Sequence, residues 1–341
     1  MVPAVTIVVP NHNRGDLLMQ TLASVQAQTS GDFECIVVDD HSTDDSVARM
    51  TPLLESDSRF SLAPSPRKGA QAARNTGIGH ARGRYVILLD SDDLLTPNCL
   101  AQRVAVMDAD PSLDFAVFPC ECFQKQPGDV GLLWNVPTGE PDLDRFLKLD
   151  VPWQTTSPIW RRESILRLLP WPEDVPVGQD WEFHIRALLG NLKYTRAGAV
   201  DHYWRQPEAG RDSIGKNTMK PEMLAARALV NERVLSAVQA AGKMSETYRP
   251  YFAGLFFQSA ERIGQRISHR TARDLWSRAQ QLGLITKKQE KQGRLYFNLF
   301  RFKKLRALYR SHLEGVWPEA YFAKRSATYL KAPADPNKVA A

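Results

Sequence analysis

The sequence has 341 residues, with 44 Lys and Arg against 38 Asp and Glu, and is 43% hydrophobic and 24% charged. These values are typical of a globular protein and exclude a fibrous chain, a disulfide-rich scaffold and a disordered protein. No apolar run approaches the roughly 18 residues of a membrane-spanning helix, and residues 1–10 lack the features of a signal peptide. We therefore expect a cytoplasmic protein.

Strand and helix patterns alternate in the first half of the chain. Apolar and β-branched runs predict strands at 5–9 (stopped by a proline), 34–38, 60–62, 84–89, 115–119 and 192–200. Apolar periodicity predicts helices at 16–28, 70–81, 98–109, 160–169 and 180–189. The Gly- and Pro-rich stretch 124–141 is expected to be a loop or a short hairpin. The continuous apolar run at 84–89 suits a strand buried on both faces, so we predict an α/β fold with a mostly parallel sheet flanked by helices.

The second half differs in charge and in pattern. Residues 1–200 carry a net charge of −8 and residues 201–341 a net charge of +14. Beyond about residue 215 the pattern is helical, with segments at 223–240, 245–267, 271–282 and 295–313. A chain of this length exceeds the usual size of a single core. We therefore predict one domain over residues 1–214 and a basic helical region over residues 215–341.

The most cationic helical segment, residues 295–310, has two interpretations. It combines bulky apolar residues with five cations, so it could lie against an anionic membrane surface. It could equally cover the first domain with its aromatic side chains turned into the core. No nucleic-acid-binding motif accompanies the charge, so nucleic acid is not expected as a partner.

Acidic residues follow two of the predicted strands. Asp39 and Asp40 come after the second strand, and Asp90, Asp92 and Asp93 come after the fourth. Any one of them could be a helix cap or a turn residue. Three clustered carboxylates repel one another unless a cation or a donor offsets their charge. Because Mg²⁺ and Mn²⁺ prefer carboxylate and phosphate oxygens, a divalent cation that bridges Asp92 to a diphosphate is the natural candidate.

Four motifs together resemble a known family. They are IVVPNHNR at 7–14, IVVDDHSTD at 36–44, GAQAARNTG at 69–77 and LLDSDD at 88–93. In this order and spacing they are similar to those of the inverting nucleotide-sugar glycosyltransferases of family 2, which have the GT-A fold. The resemblance covers roughly residues 3–210 and implies that the first 110 or so residues bind the nucleotide sugar.

The resemblance also implies roles for individual residues. Asp40 would accept a hydrogen bond from the base, commonly uracil, Asp90 or its neighbour would face the ribose, and Asp92 would hold Mn²⁺ or Mg²⁺ on the diphosphate. The implied nucleotide site comprises Pro10, Asn13, Arg14, Asp40, Ser42, Arg74, Asp90 and Ser91. For Arg14 and Arg74 the alternative is an ion pair with Asp40 or a capping role. Asn75, like Asn13, is expected mainly to fix a loop.

A candidate general base lies further along the chain. The segment VGQDWEFHIRAL at 177–188 resembles the acidic pair at the start of a helix in this family, with Asp180 in the place of the catalytic carboxylate. Gln179 stands where the family usually has Glu. A carboxylate that takes the proton of the acceptor hydroxyl can contribute about 10²- to 10⁴-fold to the rate. The alternative is that Asp180 caps the helix.

The segment after the last predicted strand carries candidate diphosphate contacts. Many relatives have a Tyr-Arg-x-His element here; this chain keeps Arg205 but has Pro207 in place of the histidine. His202 would then either supply the metal contact or be a packed surface residue. Arg205 and Arg211 remain candidates for neutralising the departing diphosphate.

The expected function is therefore a metal-dependent, inverting hexosyl transfer from a nucleoside-diphosphate sugar, with UDP-sugar favoured, to a carbohydrate or lipid-linked acceptor in polysaccharide or glycoconjugate biosynthesis. The enzyme would be cytoplasmic, with possible peripheral contact at the inner face of the membrane. One alternative is a sugar nucleotidyltransferase, although the loop after the first strand lacks the Gly-rich, basic pattern that this activity needs. The other is a non-catalytic binding or scaffold protein with the same fold.

Overall fold

The computed structural model of the protein describes residues 2–134, 136–206, 220–324 and 328–331. Within them the strands are β1 (Val5–Asn11), β2 (Phe33–Asp39), β3 (Phe60–Pro64), β4 (Tyr85–Leu88), β5 (Leu94–Leu95), β6 (Phe115–Val117), β7 (Cys120–Phe123), β8 (Leu132–Trp134), β9 (Pro158–Arg161), β10 (Tyr194–Arg196), β11 (His202–Arg205) and β12 (Leu330–Lys331). The α-helices are α1 (Gly15–Gln26), α2 (Ser46–Ser56), α3 (Ala70–His80), α4 (Cys99–Ala109), α5 (Asp142–Leu147), α6 (Arg162–Leu168), α7 (Gln179–Leu189), α8 (Pro221–Ala240), α9 (Arg249–Arg266), α10 (His269–Gln281), α11 (Lys287–Asn298) and α12 (Lys303–Val316).

Seven strands form the main sheet, in the order β10-β6-β9-β4-β1-β2-β3. The first four strands along the chain run parallel, and β9 is antiparallel to both β4 and β6. All seven residues of β1 are buried, as expected for a central strand covered by helices on both faces. Helix α3 packs so closely that a Cβ added at Gly77 would lie 2.2 Å from a methyl group of Val8. The α/β prediction is confirmed.

A second sheet, which the sequence did not predict, has the order β12-β8-β7-β11-β5. Its strand β5 follows the acidic segment 90–93 directly, and β11 pairs with β5 on one side and β7 on the other. At its far edge the short β12 pairs antiparallel with β8. The second sheet therefore begins where the acidic segment ends.

The first strand does not stop at its proline. Pro10 pairs with Val38 of β2, whereas the pairing of β1 with β4 ends at Val8, opposite Leu88. By Pro10 only one neighbouring strand remains, so the missing backbone N–H is tolerated there.

The helix predicted over 160–169 begins later, because its first residues form β9. Trp160 pairs with Val86 on one side and with Phe115 on the other, and its side chain is fully buried. A residue flanked by strands on both sides completes its backbone hydrogen bonds in the sheet. Helix α6 starts only at Arg162.

The strand predicted over 192–200 is limited to β10. It ends before Gly198, whose φ of 75° lies in the left-handed region and turns the chain away from the sheet.

Within the stretch 124–141, β8 pairs with β7, which confirms the hairpin alternative.

The helix predicted over 295–313 is in fact two helices joined by a 3₁₀ turn at Leu299–Arg301. The ring of Phe297 and the guanidinium carbon of Arg310 lie 5.8 and 5.0 Å from the ring centre of Phe257. A straight helix would separate residues 13 positions apart by about 20 Å. The chain therefore folds back so that α11 and α12 pack on the same part of α9.

One apolar cluster joins the helical region to the main sheet. It includes Val86 of β4, Phe183 of α7, Val234 of α8 and Phe256 of α9. The helices after residue 220 thus share a core with the sheet.

A charged network that the sequence did not reveal lies under the acidic segment. Arg103 of α4 and Asp201 are both fully buried, and the guanidinium Nε and the carboxylate are 2.7 Å apart. His202 Nδ1 lies 2.7 Å from Asp201 and 3.1 Å from Arg103. Burial alone would raise the pKa of Asp201, but the charge of Arg103 and hydrogen bonds from Arg103 and His202 hold it below its usual value.

We predict that Asp201→Asn lowers the free energy of unfolding by about 3–5 kcal/mol, because it leaves Arg103 buried without its counter-ion. Since the native pKa of Asp201 is depressed, this contribution should be fully present above pH ~4 and should fade as the pH falls through the native pKa. Urea unfolding at several pH values measures this contribution to the free energy of unfolding. The matched control is Glu246→Gln in the exposed pair with Arg249, which should cost less than about 1 kcal/mol. Equal losses for both variants would contradict the assigned role.

Candidate active site

The loops at the carboxyl ends of β1 and β4 define the candidate site. From β1 the chain adds β2 and β3 on one side, and then returns to place β4 on the other side of β1. The loops therefore diverge between β1 and β4, and such a switch point is where open α/β sheets bind ligands. Arg14 follows β1 and Asp92 follows β4, and their side chains come within 3.9 Å of each other here.

Each carboxylate of the acidic loop, residues 90–93, has a different partner. Asp90 forms an ion pair with Arg74 of α3 at 2.7 Å. Asp93 is buried and accepts hydrogen bonds from the backbone N–H of Arg205 at 2.9 Å and from the hydroxyl of Thr156 at 3.1 Å. The side chains of Asp92 and Asp90 are each 31% exposed, but Asp92 lies 3.9 Å from Arg14 whereas Asp90 lies 2.7 Å from Arg74. Of the three, Asp92 is thus the carboxylate with the weakest ion pair and the one best placed to meet a ligand.

The carboxylates of Asp92 and Asp93 also differ from free aspartates in their pKa. Burial, followed by the charge of Asp90, raises the pKa of Asp92. Burial and the charges of Asp92 and Asp90 raise the pKa of Asp93 well above its usual value. Both shifts have one origin, since three like charges share a poorly solvated loop.

Arg205 of β11 holds this loop from below. Its guanidinium donates to the carbonyls of Asp92 at 2.7 Å and Gln124 at 3.0 Å, and to the side chain of Gln20 at 2.9 Å. It also lies 4.3 Å from the ring centre of Phe123. The structure thus gives Arg205, predicted as a diphosphate contact, an inward-facing positioning role. Arg211, the other predicted diphosphate contact, lies outside the described residues.

Asp40 lies at the same edge of the sheet, after β2. Both of its carboxylate oxygens accept a hydrogen bond from the backbone N–H of Gly69 at 2.9 Å, and its carbonyl is 2.6 Å from Nδ1 of His12. Gly69 has a φ of 117°, which favours glycine, and precedes α3. A carboxylate has about four acceptor positions, so Asp40 can still accept a bond from a base.

The loops after β1 and β2 are tied to each other. The hydroxyl of Ser42 accepts hydrogen bonds from the side chain of Asn11 at 3.2 Å and from the backbone of Asn13 at 3.0 Å. Asn13 Oδ1 in turn accepts from the backbone N–H of Thr43 at 2.7 Å. Asn13 and Ser42 thus fix the shape of the predicted base pocket. Pro10 and Ser91 are both buried at this edge.

Within the described residues neither predicted nucleotide-site arginine pairs with Asp40, so the ion-pair alternative is wrong, although Arg14 does occupy the N-cap position of α1. Arg14 lies beside Asp92, and Arg74 pairs with Asp90. The Arg74 side chain is only 7% exposed, and within the described part of the chain its Nε and one terminal nitrogen have no hydrogen-bond partner. Buried donors of this kind normally find an acceptor. Arg74 therefore retains donor capacity beside the acidic loop.

One face of α3 connects the acidic loop to the segment that leads to Asp180. Gln71, Arg74 and Asn75 are three and four positions apart and so lie on one side of the helix. Gln71 donates to the carbonyl of Val175, and Asn75 exchanges two hydrogen bonds with the backbone of Trp171 at 2.8 and 3.0 Å. The guanidinium of Arg74 also lies 5.0 Å from the ring centre of Trp171.

Asp180 is the second residue of α7 and not its N-cap. Gly178, with a φ of 72°, occupies the capping position, so the capping alternative is wrong. Asp180 is half-buried, whereas Gln179 is buried. Glu182 points to Arg186, with which it forms an ion pair at 3.0 Å. The structure thus leaves Asp180 and Glu182 with different surroundings on the same helix.

His202 is neither a metal contact nor a surface residue. It is fully buried, where Nε2 lies 3.2 Å from the hydroxyl of Ser157. Burial is the main cause that lowers the pKa of His202. No periodicity in the sequence indicates that Asp201 and His202 pair with Arg103, so this burial could not be predicted from the sequence.

The side chains of the acidic loop fit a divalent cation that is shared with a ligand. Among the described residues, no group of three or more His, Cys, Asp and Glu is arranged to hold a metal. Mg²⁺ typically binds one or two protein carboxylates and completes its shell with water and phosphate oxygens. Asp92 is half-buried, lies 3.9 Å from Arg14 and stands beside two carboxylates with close partners, so it matches that requirement.

Residues 6–168 match the sequence profile of Glycosyl transferase family 2. This segment belongs to that family. The resemblance predicted from the four motifs is therefore confirmed. The match contains the acidic loop, α3 and Arg14, and it ends before Asp180 and β11.

Curated relatives of this family 2 domain match mainly one segment. The succinoglycan biosynthesis protein ExoO of Rhizobium meliloti is 38% identical over 108 residues, which is 32% of this chain and 31% of ExoO. The UDP-Glc:alpha-D-GlcNAc-diphosphoundecaprenol beta-1,3-glucosyltransferase WfgD of Escherichia coli is 38% identical over 104 residues, 30% of this chain and 40% of WfgD. The chain spans 17% of the length of a Rickettsia felis relative and 56% of the Bacillus subtilis protein EpsJ.

Solved structures match over nearly the whole chain. S. aureus TarS 1-349 in complex with UDP-GlcNAc has a TM-score of 0.60 at 17% identity and covers 91% of this chain and 92% of that one. The mannosyltransferase PcManGT from Pyrobaculum calidifontis, in complex with GDP-Man and Mn²⁺, has a TM-score of 0.51 at 20% identity, with coverages of 89% and 88%. The GT-A fold is thereby confirmed.

We predict that Arg205→Met lowers the free energy of unfolding by about 2–3 kcal/mol, because it removes the donors of three part-buried hydrogen bonds at once while it keeps the aliphatic stem. Amide hydrogen exchange of residues 90–95 should rise at the same time, since the loop loses its support. Unfolding in guanidinium chloride measures the change in free energy, and hydrogen-exchange mass spectrometry measures the change in exchange at residues 90–95. Arg167→Met, in an exposed pair with Asp114, is the control and should change neither. Unchanged exchange at residues 90–95 in Arg205→Met would exclude the positioning role.

Proposed function

We propose that the protein is a metal-dependent, inverting glycosyltransferase that moves a sugar from a nucleoside-diphosphate sugar, with a UDP-sugar as the favoured donor, to an acceptor hydroxyl. The observation that carries the proposal is the meeting of Arg14 with the half-buried carboxylate of Asp92 at the switch point between β1 and β4. The family 2 match over this region supports it.

The donor would lie along the edge formed by the loops after β1, β2 and β4. Asp40 accepts the hydrogen bond of the base, and the loop fixed by Asn13 and Ser42 shapes that pocket. Asp90, oriented by Arg74 at 2.7 Å, faces the ribose. The unpartnered nitrogens of Arg74, together with Arg14, are donors for the negatively charged part of the donor.

A divalent cation, Mn²⁺ or Mg²⁺, held by Asp92 would stabilise the negative charge of the diphosphate. PcManGT, solved with GDP-Man and Mn²⁺, supports this assignment. The residues of the chain then position the donor and exclude water, and positioning and charge stabilisation can carry most of the rate enhancement.

Asp180 is the proposed general base. As the acceptor oxygen attacks the anomeric carbon, the bond from that carbon to the diphosphate oxygen breaks and the hydroxyl proton passes to the carboxylate of Asp180. This single displacement inverts the configuration. The anchoring of the segment before Asp180 to the α3 face that carries Arg74 supports a shared site.

The acceptor is proposed to be a carbohydrate or a lipid-linked sugar in polysaccharide or glycoconjugate biosynthesis in the cytoplasm. The names of two relatives support this class, since ExoO is a succinoglycan biosynthesis protein and WfgD acts on a diphosphoundecaprenol-linked sugar.

We predict that Asp180→Asn lowers kcat by about 10²-fold or more, since the amide cannot take the proton, while the Kd of the donor stays the same. Glu182→Gln, on the same helix but paired with Arg186, is the control and should retain activity within about 2-fold, because its carboxylate is held by Arg186 and has no part in the proton transfer. Single-turnover transfer and calorimetric donor titration separate the two steps. Full transfer by Asp180→Asn would remove that residue from the mechanism.

We predict that excess EDTA abolishes transfer and that Asp92→Asn loses the Mn²⁺-dependent thermal stabilisation by the donor. At about 100 times its Kd, a ligand stabilises the native state by roughly 2.7 kcal/mol, so a panel of nucleotide sugars with Mn²⁺ also identifies the donor. Asp108→Asn, in an exposed pair with Arg84, is the control and should keep the full Mn²⁺-dependent thermal stabilisation by the donor. Transfer that persists in EDTA would contradict metal dependence.

A further inference from the structure

Helix α12 turns two of its arginines, Arg306 and Arg310, inward, whereas several of its aliphatic side chains face outward. Arg306 lies 4.9 Å from the ring centre of Phe300, and Arg310 lies 4.5 Å from that of Phe322. Arg310 also forms an ion pair with Glu261 at 2.8 Å. The apolar packing expected for residues 295–310 is therefore made by α11 and the 3₁₀ turn, while much of α12 faces the other way.

The outward face of α12 forms an apolar stripe, defined here as Phe302, Leu305, Leu308 and Val316. Their exposed fractions are 57%, 54%, 71% and 53%. The three aliphatic residues recur at helical spacing on one side. Two further apolar side chains are exposed, Leu295 at 48% and Ile267 at 46%, and Ile267 lines the same cavity as Phe302. Contiguous exposed apolar residues of this kind mark an interaction surface.

Next to the stripe lies the arginine cleft, a cavity of about 750 Å³ that contains no acidic residue in its lining. Its charged residues are Arg266, Arg270, Arg273 and Arg301, and it shares Phe302 with the stripe. Within the described part of the chain, none of the four arginines has a carboxylate within 4.0 Å, although Arg273 donates to the side chain of Asn298. Lys303 and Lys304 add two exposed cations at the start of α12.

An apolar stripe bordered by unneutralised cations matches the chemistry of an anionic bilayer surface. Peripheral helices insert aliphatic and aromatic side chains at the acyl boundary while their cations meet anionic headgroups. A second copy of the chain would bring this cationic rim against itself, which like-charge repulsion disfavours. A membrane contact would be peripheral, since no helix among the described residues is long and apolar enough to cross a bilayer.

We infer that the apolar stripe and the arginine cleft together dock the protein on an anionic phospholipid bilayer. The aliphatic side chains of α12 enter the boundary between headgroups and acyl chains, and the arginine cleft receives headgroup phosphates. This docking does not depend on the proposed transfer reaction, because neither the stripe nor the cleft includes a residue of the candidate active site.

Vesicle flotation of the full chain, without donor or acceptor, tests the inference. The protein should float with vesicles of phosphatidylglycerol and phosphatidylcholine in equal amounts, and not with pure phosphatidylcholine, and raised salt should release it. The double variant L305S/L308S and the triple variant R266Q/R270Q/R301Q should each bind the anionic vesicles at least about 10-fold more weakly. All five residues are exposed, and unchanged thermal unfolding shows that each variant is folded.

The matched control is K287Q/K288Q/K291Q on α11, which removes the same charge from exposed positions outside the cleft. It should bind within about 2-fold of the parent protein, as expected when local contacts and not net charge decide the affinity. An equal loss in this control, or no binding of the parent protein to anionic vesicles, would overturn the inference. So would self-association in analytical ultracentrifugation that L305S/L308S abolishes, because it would assign the stripe to a second copy. Asp180→Asn should still bind the anionic vesicles, and this result would separate the docking surface from the transfer reaction.

Discussion

Repulsion between the carboxylates of residues 90–93 is the constraint on which the rest of the site depends. The fold gives each charge a different environment: a guanidinium from α3 for Asp90, a backbone amide and a hydroxyl for Asp93, and solvent and Arg14 for Asp92. Two of the three are thereby satisfied by the protein itself. What remains is one carboxylate at a topological switch point, which is the arrangement a shared cation requires.

The two sheets meet at this loop, and that junction explains its rigidity. β4 ends in the main sheet immediately before it, and β5 begins the second sheet immediately after it. Arg205 crosses from β11 to the carbonyl of Asp92 and so fixes the loop from the second sheet. On the other side, the Gln71, Arg74 and Asn75 face of α3 fixes both Asp90 and the segment before α7. The site thus depends on contacts between elements far apart in the chain.

Local patterns were enough to predict the main sheet, α3 and α7 and the acidic loop, because each is encoded by a contiguous run or a motif. They failed where contacts between residues far apart in the sequence determine the secondary structure. Trp160 belongs to a strand only because β4 and β6 flank it, and α11 separates from α12 only because both pack on Phe257. Arg205 was expected to contact the diphosphate, and His202 to be either a metal contact or a packed surface residue, yet both are held by inward contacts that sequence spacing does not encode.

The short strand β12 has a consequence for dissecting this protein. It closes the edge of the second sheet on β8, where Tyr329 packs 5.8 Å from Trp134, and Trp134 lies 4.1 Å from Trp204, the neighbour of Arg205. A shortened chain that stops after residue 214 would leave the edge of β8 unpaired and open to aggregation. The family 2 segment is therefore not a portable module, and chimaeras that exchange acceptor specificity should carry this carboxy-terminal strand along with the domain it completes.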